Sequence, residues 1–494
     1  MYRRMYVVFG DMQRIGLRAR WLLAARSRWA LLGAIAVACP ALWMWGFTVD
    51  DALISVRYAC HIAAGLGWRF NARGPSTDGV TPLVWPLILA PLARADPMVV
   101  LARAKMLGLL VSAGAGAALG AGIGRCHAAA WWGRVLALAT VALSIPLAAY
   151  SASGMETGLA TALATFAALM VRRPLAAACV AGLAAALRPE MAVWACVLAI
   201  GAALASRARI ARLTAAGCLS LIPFASCAVA RAIAWGRPAP LALMAKPGDV
   251  AHGLAYAGAA CVVTLTPILV AAPFALRASP RALVIVLAAL AHLGAIVLVG
   301  GDWMPYSRLM VPVLPTLAYA GVLTSEVARP VATAARSLLA LVLGATLIAR
   351  GGTEGRRVGA DRAALVGRAR AALSGVRRVA ALDVGWVGAA TEAEIVDLAG
   401  LTDPEIAALP GGHTSKRVDS MFLLSREPDA LLLYVPSGLP ELEDWPVANY
   451  SRVVEARLAR DPVVARHFAA ASWLPLGTRG AGYVLLRARA AGDT

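Results

Sequence analysis

The sequence predicts a mainly α polytopic membrane protein with about eleven transmembrane helices and a small C-terminal soluble α/β domain. Three observations lead there. First, 60% of the 494 residues are hydrophobic and only 15% are charged, against roughly 45–50% apolar and about 25% charged in a soluble domain; the mean hydropathy is +0.71. Second, the apolar residues come in repeated stretches of about 15–25 residues, near the length that crosses a hydrocarbon layer of roughly 30 Å. Third, from residue 351 the long apolar runs stop and charge rises.

In chain order, an arginine-rich head (Arg14, Arg18, Arg20, Arg26, Arg28) opens the sequence. It is too long for a typical signal peptide, so the apolar stretch after it reads as a retained first helix. The expected spans are 29–47, 98–122, 134–149, 155–171, 174–187, 190–206, 212–235, 254–276, 281–299, 308–326 and 333–350. Alternating crossings place the head, Arg125 and Arg134, Arg172 and Arg173, Arg207, Arg209 and Arg212, Arg277 and Arg281, and Arg329 on one side. The positive-inside rule makes that side cytoplasmic. The expected setting is therefore the inner (cytoplasmic) membrane. Segments 48–97, 150–154, 188–189, 236–253 and 300–307, and everything beyond 350, then face the periplasm. The division is a basic segment 1–28, a transmembrane domain 29–350 and a soluble domain 351–494. In the last, apolar runs at Val379–Val384, Ala430–Val435 and Tyr483–Leu486 read as strands.

Some tempting signals resolve blandly. Segment 81–94 is apolar but short and holds three prolines, so it reads as an interfacial helix within the first outer loop. Gly116, Gly120 and Gly124 lie inside an apolar helix with no preceding strand, which suits close helix packing rather than nucleotide binding. The net charge of +20 follows from topology arginines, and no compact basic domain with interleaved aromatics points to nucleic acid. Eight cysteines show no metal or disulfide spacing.

Ionisable and aromatic residues collect in the expected outer loops, and ionisable groups near a membrane imply use. Asp50 and Asp51 open the first loop. Neighbours on a helix point about 100° apart, so one of the two is expected to face a pocket, where a carboxylate could accept a proton from a sugar hydroxyl; the alternative is a membrane-interface cap on the next helix. Asp51 and Ser55, four apart, share a face. The loop Gly300–Arg308 carries Asp302, Trp303 and Tyr306: Asp302 and Arg308 form either a salt bridge or a ligand site, and the aromatics either a membrane-interface belt or a sugar-stacking surface. Lys246, Arg57, Arg188 and Arg308 are the candidate cations for a lipid phosphate. Arg188 stands beside Glu190, and Glu156 begins another helix from the same side.

Several of these strings resemble one family. "VDDALISVRYACHIAAGLGWRFN" resembles the first-loop pattern D-D-(A/F/Y)-x-I-(S/T)-x-R-Y-(A/S) followed by G-x-G-x-x-(F/W)-N of C-type (GT-C) membrane glycosyltransferases similar to the mycobacterial terminal β-arabinofuranosyltransferase. "DGVTPLVW" looks like that group's E-G-(Y/F)-T-(N/S)-x-x-W, with Asp78 in place of Glu and with Trp85 kept. "SGMETGL", "LRPE", "LALMAKPGDVAHGLAY", "GGDWMPYSRLMVPVLP" and "LDVGWVGAATEAEIVDLAGLTDPEIA" resemble later stations, in order, across residues 47–430. The resemblance implies a GT-C fold, a polyprenyl-phosphate sugar donor (decaprenyl-phosphate arabinofuranose in the mycobacterial case), a cell-envelope glycan or glycoconjugate as acceptor, and inverting transfer. Asp50 or Asp51 would be the base, the four cations would hold the phosphate, and Asp302, Trp303, Tyr306, Trp85 and Asp78 would contact substrate. Leu241-Ala242 replaces the N-T common before the Ala-Lys of the third station, which bears on the sugar more than on the reaction. No cofactor is expected; a divalent cation at Asp302 is the alternative, although no ligand spacing argues for one. The rival readings are a same-class transferase for mannose or aminoarabinose, and a lipid or sugar transporter; a transporter should carry internal repeats, and none is evident.

Overall fold

A computed structural model describes residues 27–126, 128–246, 248–264 and 273–489. The expected basic head up to Arg26, Pro247 and part of the expected span 254–276 lie outside the described residues. The chain is mainly helical, 67% helix against 7% strand, with a small C-terminal sheet.

Among the described residues five helices are long and apolar enough to cross a membrane: Pro97–Gly124, Ile210–Trp235, Pro280–Leu298, Pro305–Ser325 and Pro330–Ala372. A sixth would be Trp131–Ala142 with Ile145–Ser151, which meet at a 60° bend. Ser27–Trp43, Thr157–Leu169, Pro174–Leu187, Pro189–Ala205 and Val250–Val263 are apolar but only 10–17 residues long, short of the roughly 20 that a straight span needs. The eleven expected spans therefore exceed the helices of spanning length among the described residues. The reason is local: prolines and turns divide the apolar sequence, as Arg188-Pro189 does between two of the short helices. Segment 81–94 forms only the helix Val84–Leu89 and a 3-10 turn Ala90–Leu92. The expected domain boundary near 350 falls inside the run Pro330–Ala372, which turns at Arg356-Arg357.

The outer surface of the bundle is apolar. Ile222, Val229, Ile233, Leu338, Leu339 and Val342 are all half or more exposed on two of the long helices, an arrangement suited to lipid and costly in water. Inside, Gly116 and Gly120 let helix Pro97–Gly124 lie against Ser27–Trp43. A Cβ on either would collide with the backbone of Gly33 or Trp29.

The C-terminal domain holds β1 (Arg378–Ala381), β2 (Glu394–Asp397), β3 (Ala430–Val435), β4 (Phe468–Pro475) and β5 (Gly482–Ala488), in the order β2-β1-β3-β5-β4. The first three are parallel, and β5 runs antiparallel to β3 and β4. Strand β2 is an edge, and the first loop covers it: the Asn71 side chain accepts from the Ile395 N–H and donates to the Ile395 carbonyl, both at 2.9 Å, as a neighbouring strand would.

One helix joins the two parts. Asp50 and Arg57 lie on helix Asp50–Ala63, two turns and about 10 Å apart on one face. Beside them runs the seven-residue helix Val384–Ala390, of matching length. The Asp50 carboxylate accepts from the N–H groups of Gly385 and Trp386 at 2.8 and 2.9 Å. Arg57 donates to the carbonyls of Gly388 and Thr391 at 2.9 Å and of Ala393 at 3.1 Å, and to Phe70 at 2.7 Å. An anion at the N-terminus and a cation at the C-terminus of a helix both oppose its dipole favourably. Gly385 and Gly388 permit the approach, since a Cβ on either would strike Asp50 or Arg57.

Burial pushes the Asp50 carboxyl up from 3.8 to about 6, against the pull of Arg362 and the Gly385 N–H. A raised carboxyl contributes stability that is fully present below its unfolded value and lost as pH rises through its folded value. The melting-temperature advantage of the wild type over Asp50→Asn should therefore shrink between pH 5 and pH 7. An advantage that stays constant or grows over that range contradicts this account.

Candidate active site

Next to the clamp, the same helix turns a second face to a cavity of about 370 Å³, which Asp51, Ile54 and Ser55 help to line. The spacing i, i+3, i+4 puts these three on one stripe. Asp50, about 100° away, is not among the lining residues. The other walls come from the first loop (Gly79 to Pro82), the starts of the helices after Gly154 and Arg188, the Lys246 segment, and the Gly301–Leu309 loop.

The cavity holds four carboxylates (Asp51, Glu156, Glu190, Asp302) and three cations (Arg188, Lys246, Arg308). Arg308 pairs with Asp302 at 2.7 Å and approaches Asp51 at 3.8 Å. Its backbone is set by an unusual turn: Gly300 and Gly301 have φ of 87° and 73°, and Tyr306 and Ser307 have φ of 59° and 50°, a region disfavoured for residues with side chains and often found at functional sites. Burial opposes ionisation of Asp302, but Arg308, with Lys246 and Arg188, outweighs it and holds the carboxyl below its usual value. Arg188 is matched twice, by Glu156 at 2.7 Å and Glu190 at 2.6 Å. The Lys246 ammonium makes no ion pair or hydrogen bond among the described residues.

The expected residues thus separate. Asp51, Arg188, Lys246, Asp302 and Arg308 converge on the cavity. Asp50 and Arg57 hold the C-terminal domain instead. Asp78 is fully buried between Arg231 at 3.1 Å and Arg237 at 2.8 Å, fastening the first loop to helix Ile210–Trp235. Trp85 is also fully buried and donates to the Gly154 carbonyl at 3.2 Å. Tyr306 turns away, donating to the Gly351 carbonyl at 2.7 Å and meeting Phe47 edge-on. Trp303 is 67% exposed; it stacks on His252, with centroids 4.4 Å apart, and lies 5.8 Å from His413.

His413 comes from the C-terminal domain and carries no motif in the sequence. Burial, with Lys246 and Arg452 adding to it, pushes its imidazole down to about 4, so the ring is neutral at pH 7. Glu156 and Glu190 stand out as charges at helix starts, but the sequence does not show that both turn onto Arg188. A second buried network, also unsignalled, links Asp383 to Arg452 at 2.7 Å and to the Tyr483 hydroxyl, beside the Asp50–Arg362 pair. Among the described residues no three His, Cys, Asp or Glu side chains gather as metal ligands.

Residues 356–483 match a family model described as a domain of unknown function (DUF8728). No curated protein and no solved structure matches the chain. The matched region contains His413, Asp383, Arg452 and the helix held by Asp50 and Arg57.

The charge pairing separates Arg308 from Lys246. Arg308→Gln leaves Asp302 buried without its counter-ion and should cost about 3–5 kcal/mol. Lys246→Gln breaks no pair and should stay within about 0.5 kcal/mol of wild type. Thermal unfolding of the two variants in detergent checks this, and equal losses contradict the assignment.

Proposed function

We propose that the chain is a membrane glycosyltransferase that moves a sugar from a polyprenyl-phosphate donor to a hydroxyl of a cell-envelope glycan or glycoconjugate. The sequence resemblance points to arabinofuranose as the sugar, and the arginine asymmetry of the loops points to the periplasmic side of the inner membrane as the place of reaction. The observation that carries the reading is the polarity of the cavity. Its floor is charged, whereas Val193, Leu243, Leu298 and Val299 line it while being 41–72% exposed on the apolar outside of the bundle. A pocket with a charged floor and an apolar, outward-facing wall suits a ligand with a charged head and a hydrocarbon tail, and the volume lies within the usual small-molecule range.

In the proposed reaction Asp51 takes the proton from the acceptor hydroxyl as its oxygen bonds to the anomeric carbon. The bond from that carbon to the phosphate oxygen breaks, and the polyprenyl phosphate leaves with the electron pair. Attack from the face opposite the leaving group inverts the centre. Lys246, free of carboxylate partners, meets the growing phosphate charge. Arg308, anchored by Asp302, adds to that field and orients Asp51. Arg188 is already balanced by two glutamates and shapes the pocket. Trp303 follows Asp302 but is not among the cavity's lining residues; exposed and stacked on His252, it would meet only a part of the substrate that reaches beyond the cavity. Val193, Leu243 and Leu298 border the path of the prenyl chain.

Asp51→Asn should lower transfer by about 10²–10⁴-fold while donor binding is unchanged; Lys246→Gln should mainly weaken donor binding. The assay is transfer by the purified chain in detergent with a synthetic polyprenyl-phosphate sugar, alongside mass spectrometry of surface glycans from a deletion strain. Full activity in Asp51→Asn, or an unaltered glycan profile, overturns the reading.

A further inference from the structure

A second cavity, of about 170 Å³, lies at the opposite end of the same helices. The active-site candidate sits at the start of Thr157–Leu169, the end of Pro280–Leu298 and the start of Pro305–Ser325. The second cavity takes Leu169, Arg281 and Glu326 from their other ends, together with Arg125 and Cys126 after helix Pro97–Gly124. Helix Pro280–Leu298 has 19 residues, which separates the two sites by roughly 28 Å.

Its chemistry differs from the first. Three guanidinium groups, Arg125, Arg172 and Arg281, face one carboxylate, Glu326. Glu326 reaches only Arg281, at 3.8 Å. Arg125 uses its Nε on the Ala121 carbonyl at 3.1 Å, and Arg172 has no side-chain partner among the described residues. Tyr319 lines the same cavity, is 92% buried, since its exposure is 8%, and its hydroxyl makes no hydrogen bond among the described residues. A hydroxyl and three forked guanidinium groups converging on a cavity with a single carboxylate leave donors to spare, which match the oxygens of a phosphate. The surroundings favour a lipid as their source: Leu169 and Val171 are part of the lining, Val327 follows Glu326 at 53% exposure, and Trp131 begins the next helix at 69% exposure, as aromatics do at a membrane interface.

We infer that this cavity binds the phosphodiester headgroup of an anionic phospholipid, at a site separate from the proposed reaction and independent of it. Basic pockets between the ends of membrane helices hold such headgroups by charge and by hydrogen bonding together. Arg172 and Tyr319 can be altered without breaking a pairing contact among the described residues: Arg172 is exposed and has no side-chain partner among them, and Tyr319→Phe keeps the ring.

The test is native mass spectrometry of the full chain in detergent with equal phosphatidylglycerol and phosphatidylcholine. The expected result is preferential retention of phosphatidylglycerol, reduced roughly fivefold by Arg172→Gln and further by adding Tyr319→Phe, and unchanged by Arg377→Gln on the C-terminal domain. Each variant is first confirmed as folded by its elution and melting profile. Equal retention of the two lipids, or retention indifferent to Arg172 and Tyr319, overturns the inference. Loss of the lipid to millimolar inorganic phosphate also overturns it, because the cavity is then a free-anion site.

Discussion

The structure depends on two side chains of one helix holding both ends of another. Asp50 accepts from the first N–H groups of helix Val384–Ala390, and Arg57 donates to the carbonyls at its end. Hydrogen bonds to charged groups are worth more than neutral ones, and a buried helix end left without partners is costly. The C-terminal domain is therefore seated on the membrane bundle by directed bonds as well as by apolar contact. The same helix that makes this joint carries Asp51 toward the cavity. Position and chemistry are linked through about 100° of helix rotation.

Several features follow from that seating. Leu401 of the C-terminal domain closes part of the cavity wall, and His413 comes within ring-contact distance of Trp303. Asp383, Arg452, Tyr483 and Glu455 continue the polar joint inward. Glu455 accepts from the Tyr434 N–H at 3.1 Å, while burial pushes its own carboxyl up to about 7. In the cavity Arg188 faces two carboxylates, Glu156 and Glu190, and Arg308 faces two, Asp302 and Asp51; among the described residues the Lys246 ammonium is in no such ion pair. Arg308, with Lys246 and Arg188, holds the Asp302 carboxyl below its usual value against burial, and Lys246 stays available to an incoming anion.

Much of this was legible in the sequence, and what was not has physical causes. Apolar run length located the helices, but length alone could not show where Pro189 or the Leu143-Ser144 bend cuts them below spanning size. The four-residue spacing of Asp51 and Ser55 showed their shared face, because helical geometry is local. The role of Arg57 was hidden although Asp50 and Arg57 stand seven apart: their partner helix lies more than 300 residues away in the chain. Asp78 and Trp85 read as substrate residues because their surroundings in sequence resemble a binding loop. Their partners, Arg231, Arg237 and Gly154, are non-local, and ion pairing at that distance has no local signature. Asp302 and Arg308 were legible as a pair because both sit in one glycine-bearing loop. His413 was not, since it reaches the site only through the docking of the C-terminal domain.

The most direct test of the account is the structure, by cryo-electron microscopy, of the full chain with a non-hydrolysable polyprenyl-phosphate sugar analogue. The account predicts the phosphate within hydrogen-bonding reach of Lys246, about 3 Å, the prenyl chain leaving past Leu243 and Leu298, and Asp51 the carboxylate nearest the anomeric carbon. A ligand seated outside this cavity, or Asp50 rather than Asp51 meeting the sugar, would contradict it.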